Sequence, residues 1–268
     1  MGELDGKIAI VTGTSHGVGL SIAHELLRAG ATVVGCARTP LDAMPGTEGN
    51  PEWVARSAQV VCDQGDYEAI DATVQHVVDR YGRIDILVNN AGGAIPSPSV
   101  ENVPELVQQL GGSPESDDDF ERTVLFHAHV VQMNLTSPLW FAIRAFRQMA
   151  QQDGLGCIIN ISSGASHPAG SPYLVSYGAG KSGLNHFTRS LAQEWGPKAR
   201  VNCIALGPTV TDNFRTFVLG KDDPTGSTYF KNIPLRRGGE PVEVARTCVF
   251  LASGAAEYIN GTTIEIEW

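Results

Sequence analysis

A short apolar run, a glycine-rich turn and an amphipathic helix follow one another within residues 7–30, and this restricts the fold more than any other stretch. Lys7-Ile8-Ala9-Ile10-Val11-Thr12 has the continuous apolar pattern of a short buried strand. Gly13-Thr14-Ser15-His16-Gly17-Val18-Gly19 breaks it, and residues 20–29 read as an amphipathic helix that Gly30 stops. A strand entering a helix through glycines lets the backbone approach a phosphate closely. The helix amino end then supplies N–H groups without partners of their own.

The same grammar repeats along the chain. Further strands are expected over 31–37, 59–63, 84–88, 157–162, 199–205 and 262–266, and helices over 66–81, 123–149, 175–195 and 241–252. Residues 40–57 are rich in Pro and Gly and leave room for one short turn around 52–56. Residues 94–122 hold four prolines, the Gly111-Gly112 pair and the acidic run Glu115-Ser116-Asp117-Asp118-Asp119, the composition of an exposed insertion. Residues 212–237 form a long loop carrying Phe214, Phe217, Val218, Leu219, Tyr229 and Phe230. Loops that long in a compact domain are usually functional.

The chemistry concentrates in residues 163–181. Tyr177 and Lys181 are four apart on an expected helix and share one face. A phenol is a poor base at its ordinary pKa of about 10, and an ammonium close by is expected to lower it. Ser163 ends the apolar run Cys157-Ile158-Ile159-Asn160-Ile161-Ser162, so its hydroxyl emerges at a strand's carboxyl end. Open α/β sheets bind ligands at that edge.

With Thr12-Gly13-x-x-x-Gly17-x-Gly19 at one end and Ser163, Tyr177 and Lys181 further on, the sequence resembles the compact one-domain short-chain dehydrogenases/reductases over nearly its whole length. The resemblance implies a Rossmann-like, doubly wound, mainly parallel seven-stranded sheet with helices on both faces, formed by residues 1–268 as one domain. It implies Tyr177 as the proton-transferring group, Lys181 as its modulator and the holder of the nicotinamide ribose, and Ser163 as donor to the developing alkoxide. Asn134, within Met133-Asn134-Leu135, would hold a water that relays protons from the lysine. An asparagine inside a helix also costs propensity, which points to a local kink. The cofactor would lie on Gly13, Ser15, His16, Gly17, Val18 and Gly19. Asp63 would bond the adenine, the turn Asn89-Asn90-Ala91-Gly92 would pass the ribose at Asn90, Ala91 and Gly92, and Thr211 would meet the carboxamide.

The second strand's end selects the cofactor. An acidic residue there binds the ribose 2′-hydroxyl of NAD, and an arginine accommodates the 2′-phosphate of NADP. The expected acidic position is Ala37, followed by Arg38, which favours NADP(H), with NAD(H) as the alternative. The apolar content of 212–237 reads as a substrate lid over a hydrophobic ketone or alcohol. Three departures from the family stand out: the longer insertion at 94–122, one extra residue between Ser163 and Tyr177, and the missing Asp-Gly-Gly ending before Trp268.

The totals exclude other classes. With 268 residues, 42% hydrophobic and a net charge of −10, the chain has ample core material and no surface suited to nucleic acid. No apolar run reaches membrane-span length, and the start has no charged-then-apolar leader. A cytoplasmic protein is expected. The five cysteines lack paired spacing and read as buried hydrophobes, while His127 and His129 point apart on a helix, so no metal is expected. The helices over 123–149 and 175–195 carry more apolar surface than one sheet face needs, and the resemblance implies that they pair in a dimer or tetramer.

Overall fold

The computed structural model describes residues 2–93, 119–169, 174–221 and 223–267. Seven strands form one sheet: β1 (Ile8–Thr12), β2 (Thr32–Ala37), β3 (Ser57–Val61), β4 (Ile86–Asn89), β5 (Gly156–Ser163), β6 (Ala199–Leu206) and β7 (Thr263–Ile266). Their order is β3-β2-β1-β4-β5-β6-β7. Every pairing is parallel, so the sheet is wholly rather than mainly parallel. The continuous apolar runs have the cause expected of such a sheet, since both faces are covered.

The alternation within β1 shows the two layers. Ala9 and Val11 join one apolar cluster with Ile22, Leu26 and Leu27 of α1 (Gly17–Arg28) and with Val244, Cys248 and Leu251 of the last long helix (Pro241–Ala252). Ile8 and Ile10 join the other, with Ile70, Val74 and Val77 of the helix Tyr67–Tyr81 and with Phe141, Ala145 and Met149. All five cysteines are free and buried.

The short turn expected near 52–56 is the helix α2 (Pro51–Ala55), capped by Asn50 Oδ1, which accepts from the Glu52 and Trp53 amides. The helix Tyr67–Tyr81 is α3, and Asp66 caps it by accepting from the Glu68 amide. The helix expected over 123–149 is divided. Asp119–Val131 (α4) and Ser137–Met149 (α5) flank a π-turn at Gln132–Thr136, with Asn134 at its centre. Then come α6 (Val175–Trp195), the short α7 (Asp212–Phe214) and α8 (Pro241–Ala252). The inserted residues 94–118, residues 170–173 and Trp268 lie outside the described residues.

Residues 212–237 are not one open loop. After α7 the chain makes a π-turn at Arg215–Leu219. Phe214, Tyr229 and Phe230 pack on one another with ring centroids 5.3–6.1 Å apart, and Phe230 is buried with Val210 and Leu219. The segment closes at its base: Val210 N donates to Gly239 O at 2.8 Å and Gly239 N donates to Pro208 O at 2.9 Å.

Candidate active site

The chain leaves β1 toward β2 and β3, then returns to place β4 on β1's other side. That reversal opens a crevice at the carboxyl ends of β1 and β4, where open α/β sheets hold ligands. Gly13 follows β1 with φ +76°, a region that only glycine adopts freely. A Cβ on Gly19 would come within 2.2 Å of Gly13 O and 2.4 Å of Asn90 Nδ2, so the start of α1 packs directly on the turn. His16 stands at the N-cap of α1 but gives no side-chain cap bond, so that end keeps its donors for a ligand. Its ring contacts Ser15 Oγ at 2.8 Å and Asn213 Nδ2 at 3.2 Å instead.

Thr12 shapes the facing wall. Its Oγ1 accepts from the amides of Asn90 at 3.0 Å and Ala91 at 2.8 Å, and Asn90 Nδ2 donates to Thr12 O at 2.9 Å. Sequence reading gave Thr12 no such role. The signal was present in a hydroxyl that ends an otherwise apolar strand. Asn89 is buried and donates to Asn160 Oδ1 and to Pro138 O, holding β4 to β5 at the rim. Asp63 is exposed and its Oδ1 accepts from the Gly65 amide, which fixes the carboxylate past β3. Arg38 is exposed at the end of β2. Thr211 lies beside the cradle, its Cγ2 3.4 Å from where a Gly17 Cβ would stand, while its Oγ1 accepts from the Phe214 amide and caps α7.

The four candidate catalytic residues converge at the carboxyl ends of β4 and β5. Asn134 Nδ2 takes the carbonyl of Val130 at 2.9 Å, four residues back, in the π-turn that widens the helix. A Cβ on Gly92 would lie 2.7 Å from Asn134 Oδ1 and 3.6 Å from Lys181 Nζ, which puts all three in one corner. Lys181 is 4% exposed, and its Nζ donates to Ile161 O at 2.8 Å. Burial pushes the Lys181 pKa down to about 8, partly offset by Cys203. A buried ammonium needs more than one partner, and among the described residues no carboxylate pairs with it. The uncapped helix end, the glycine turn and this lysine fit a dinucleotide with a ribose hydroxyl near Nζ.

Tyr177 stands one turn before Lys181, with Nζ 5.7 Å from its ring centroid. The expectation that the ammonium would depress the phenol's pKa needs correction. Burial raises it, and the opposing influence is a hydrogen bond with Ser163. The lysine donates to the carbonyl of Ile161, and Ser163 is the neighbour whose influence lowers the phenol's pKa. Ser163 Oγ accepts from the Ala165 amide at 3.2 Å, leaving its own proton free to donate. Ser162 faces away, buried, with its Oγ donating to Lys181 O.

The described residues contain no helix long and apolar enough to cross a membrane. The family model described as enoyl-(acyl carrier protein) reductase matches residues 13–267, from the glycine turn through β7. The chain belongs to the short-chain dehydrogenase/reductase family. It is 35% identical to the 3-oxoacyl-[acyl-carrier-protein] reductase of Pseudomonas aeruginosa, over 98% of this chain and 97% of that one. It is 32% identical to the 2-dehydro-3-deoxy-D-gluconate 5-dehydrogenase of Escherichia coli, over 99% and 95%. A solved short chain dehydrogenase from Bacillus anthracis superposes with a TM-score of 0.77 at 27% identity, covering 97% of this chain and 95% of that one. The chain is thus an oxidoreductase of this family with a wholly parallel Rossmann-like sheet.

Proposed function

We propose that this protein is an NADP(H)-dependent oxidoreductase that exchanges a hydride with a hydrophobic secondary alcohol or its ketone. The observation that carries the reaction class is the convergence of Ser163, Tyr177, Lys181 and Asn134 beside the glycine cradle. The bound nicotinamide supplies or accepts the hydride. In the reducing direction the Tyr177 hydroxyl gives its proton to the substrate oxygen, and Ser163 donates to that oxygen as charge develops on it. Lys181 would hold the ribose, and Asn134, in the same corner, would hold a water that relays protons from the lysine.

Arg38 at the end of β2, next to Ala37 rather than a carboxylate, supports NADP(H). The substrate preference rests on apolar side chains left exposed around the site. Val175 is 68% exposed two residues before Tyr177, and Val218 and Tyr229 are exposed on the segment after β6. Phe214 and Phe230 are not among them, because they are used in the segment's own packing. We read residues 1–268 as one cofactor-binding and catalytic domain in a cytoplasmic homo-oligomer. The exposed Val124 on α4, a helix packed against α6, supports its interface.

A panel of ketones and secondary alcohols, followed by nicotinamide absorbance with NADPH, NADP⁺, NADH and NAD⁺, tests the reading. Turnover of apolar ketones with NADPH is expected. Tight NADPH binding with no turnover of any ketone or alcohol would point to a cofactor-sensing protein instead.

A further inference from the structure

The turn after Ser163 and the residue that follows β7 meet at one point. Glu267 follows β7, and its side chain is only 3% exposed. Its Oε2 lies 2.8 Å from where a Gly164 Cβ would be, and its Cβ 2.6 Å from where a Gly207 Cβ would be. Gly164 follows Ser163 and Gly207 follows Leu206, and these strand ends are register partners. The carboxylate is thus wedged between the ends of β5 and β6. His167 Nε2 lies 2.5 Å from Glu267 Oε1, and its Nδ1 lies 3.9 Å from Glu265 Oε1.

The turn between Ser163 and His167 is fastened on its other side as well. Ser166 Oγ donates to Ser163 O at 2.7 Å, and the His167 amide donates to Gly164 O at 3.1 Å. Ser182 Oγ donates to Ser166 O, and Asn185 Nδ2 donates to Ser166 Oγ. Both belong to α6, the helix that carries Tyr177 and Lys181. One side of the turn is bolted to the catalytic helix and the other to the tail.

We propose that His167 and Glu267 are positioning residues that clamp the turn after Ser163 and so hold the Ser163 hydroxyl at the catalytic corner. The inference rests on the roles given to Ser163 and Tyr177 above. If the clamp opens, the turn after Ser163 loses its outer fastening, and the influence of Ser163 that opposes burial at Tyr177 weakens. The titratable groups around this corner are Lys181 on α6, Cys203 on β6 beside it, His127 on α4 against Ser176, and His167, Glu265 and Glu267 themselves. The bond to Glu267 is the chief influence raising the His167 pKa, with desolvation opposing.

The test needs no substrate. Tyrosinate absorbance is titrated with pH in each protein and again with Tyr177→Phe added, and the difference isolates Tyr177. Thermal melts confirm that each variant is folded. Glu267→Ala and His167→Ala should each raise the Tyr177 pKa by about half a unit or more, roughly a threefold change in proton affinity. Glu267→Gln keeps an acceptor for His167 and should stay near wild type, as should Glu265→Gln. The double change at 167 and 267 should add little beyond either single one. If Ser163→Ala raises the Tyr177 pKa and Glu267→Ala and His167→Ala do not, the positioning role is wrong while the catalytic reading stands. If Ser163→Ala itself leaves Tyr177 unmoved, the catalytic reading has failed and the positioning role falls with it. Should Glu267→Ala not fold, His167→Gln supplies the same comparison.

Discussion

Asn134 and Gly93 hold each other from both ends. The Gly93 amide donates to Asn134 Oδ1 at 3.2 Å, and Asn134 Nδ2 donates to Gly93 O at 3.2 Å. Since Nδ2 also takes Val130 O, one side chain ties the turn after β4 to the point where the helix widens. Asn134→Ala would leave the buried Val130 carbonyl without this donor, at about 1–3 kcal/mol, and would release the exposed Gly93 from the helix. A lower melting temperature and reduced turnover together are the expected outcome. Unchanged stability by denaturant titration would mean that the pairing is not what holds the turn.

Tyr177→Phe should reduce kcat by about 10²–10⁴-fold, the usual contribution of a positioned acid or base, with cofactor affinity nearly unchanged. Retention of more than about a tenth of wild-type turnover, against that range, would falsify the assignment.

The two adjacent serines should separate cleanly. Ser163→Ala removes the donor that faces the phenol and should lower kcat sharply. Ser162→Ala removes a buried bond to Lys181 O and should show first as a loss of stability. Steady-state rates and melts of the two variants, run side by side, decide it. The reverse order of damage would move the active hydroxyl to Ser162.

Cofactor choice should follow the end of β2. A charge-assisted contact from Arg38 to the 2′-phosphate is worth about 1.5–3 kcal/mol, or one to two powers of ten in affinity. Ala37→Asp combined with Arg38→Leu should therefore turn the preference toward NAD. The ratio of kcat/KM for the two cofactors at fixed ionic strength reads it. A wild type that already prefers NAD would leave Arg38 as a surface residue.

Lys181 should leave its mark on stability at alkaline pH. Its folded pKa, about 8, lies below its ordinary 10.5, so between those values the unfolded chain binds more protons than the folded one. The free energy of unfolding contributed by this group must then rise with pH across that window. Lys181→Met should abolish the rise. Denaturant melts of the cofactor-free protein from neutral pH to above 10 measure it, and identical slopes in both proteins would contradict the buried, uncompensated ammonium.

The sequence displayed the sheet because its strands are apolar runs cut off by glycine, proline or charge, and boundaries moved by only a residue or two. Ser163, Tyr177 and Lys181 were legible because a strand end and a helical turn place them by local geometry. Asn134 announced a kink through its poor helix propensity, but nothing in Met133-Asn134-Leu135 said that the kink is a π-turn closed by Gly93. The pairing of His167 with Glu267 could not be read, since the two lie 100 positions apart and no periodicity links them. The aromatic residues after β6 were visible, yet spacing cannot distinguish rings that face a substrate from rings that face each other.

That last segment has a further property. Its two ends are stitched together at Val210 and Gly239, and it has a small core in Phe230, Val210 and Leu219. A flap with its own core and a closed base is a replaceable part. Its length and chemistry can change while β6 and α8 keep their places, because each doubling of a flexible loop costs only about 0.6 kcal/mol. In such a fold this one part can change while the sheet and the proton-handling corner stay as they are.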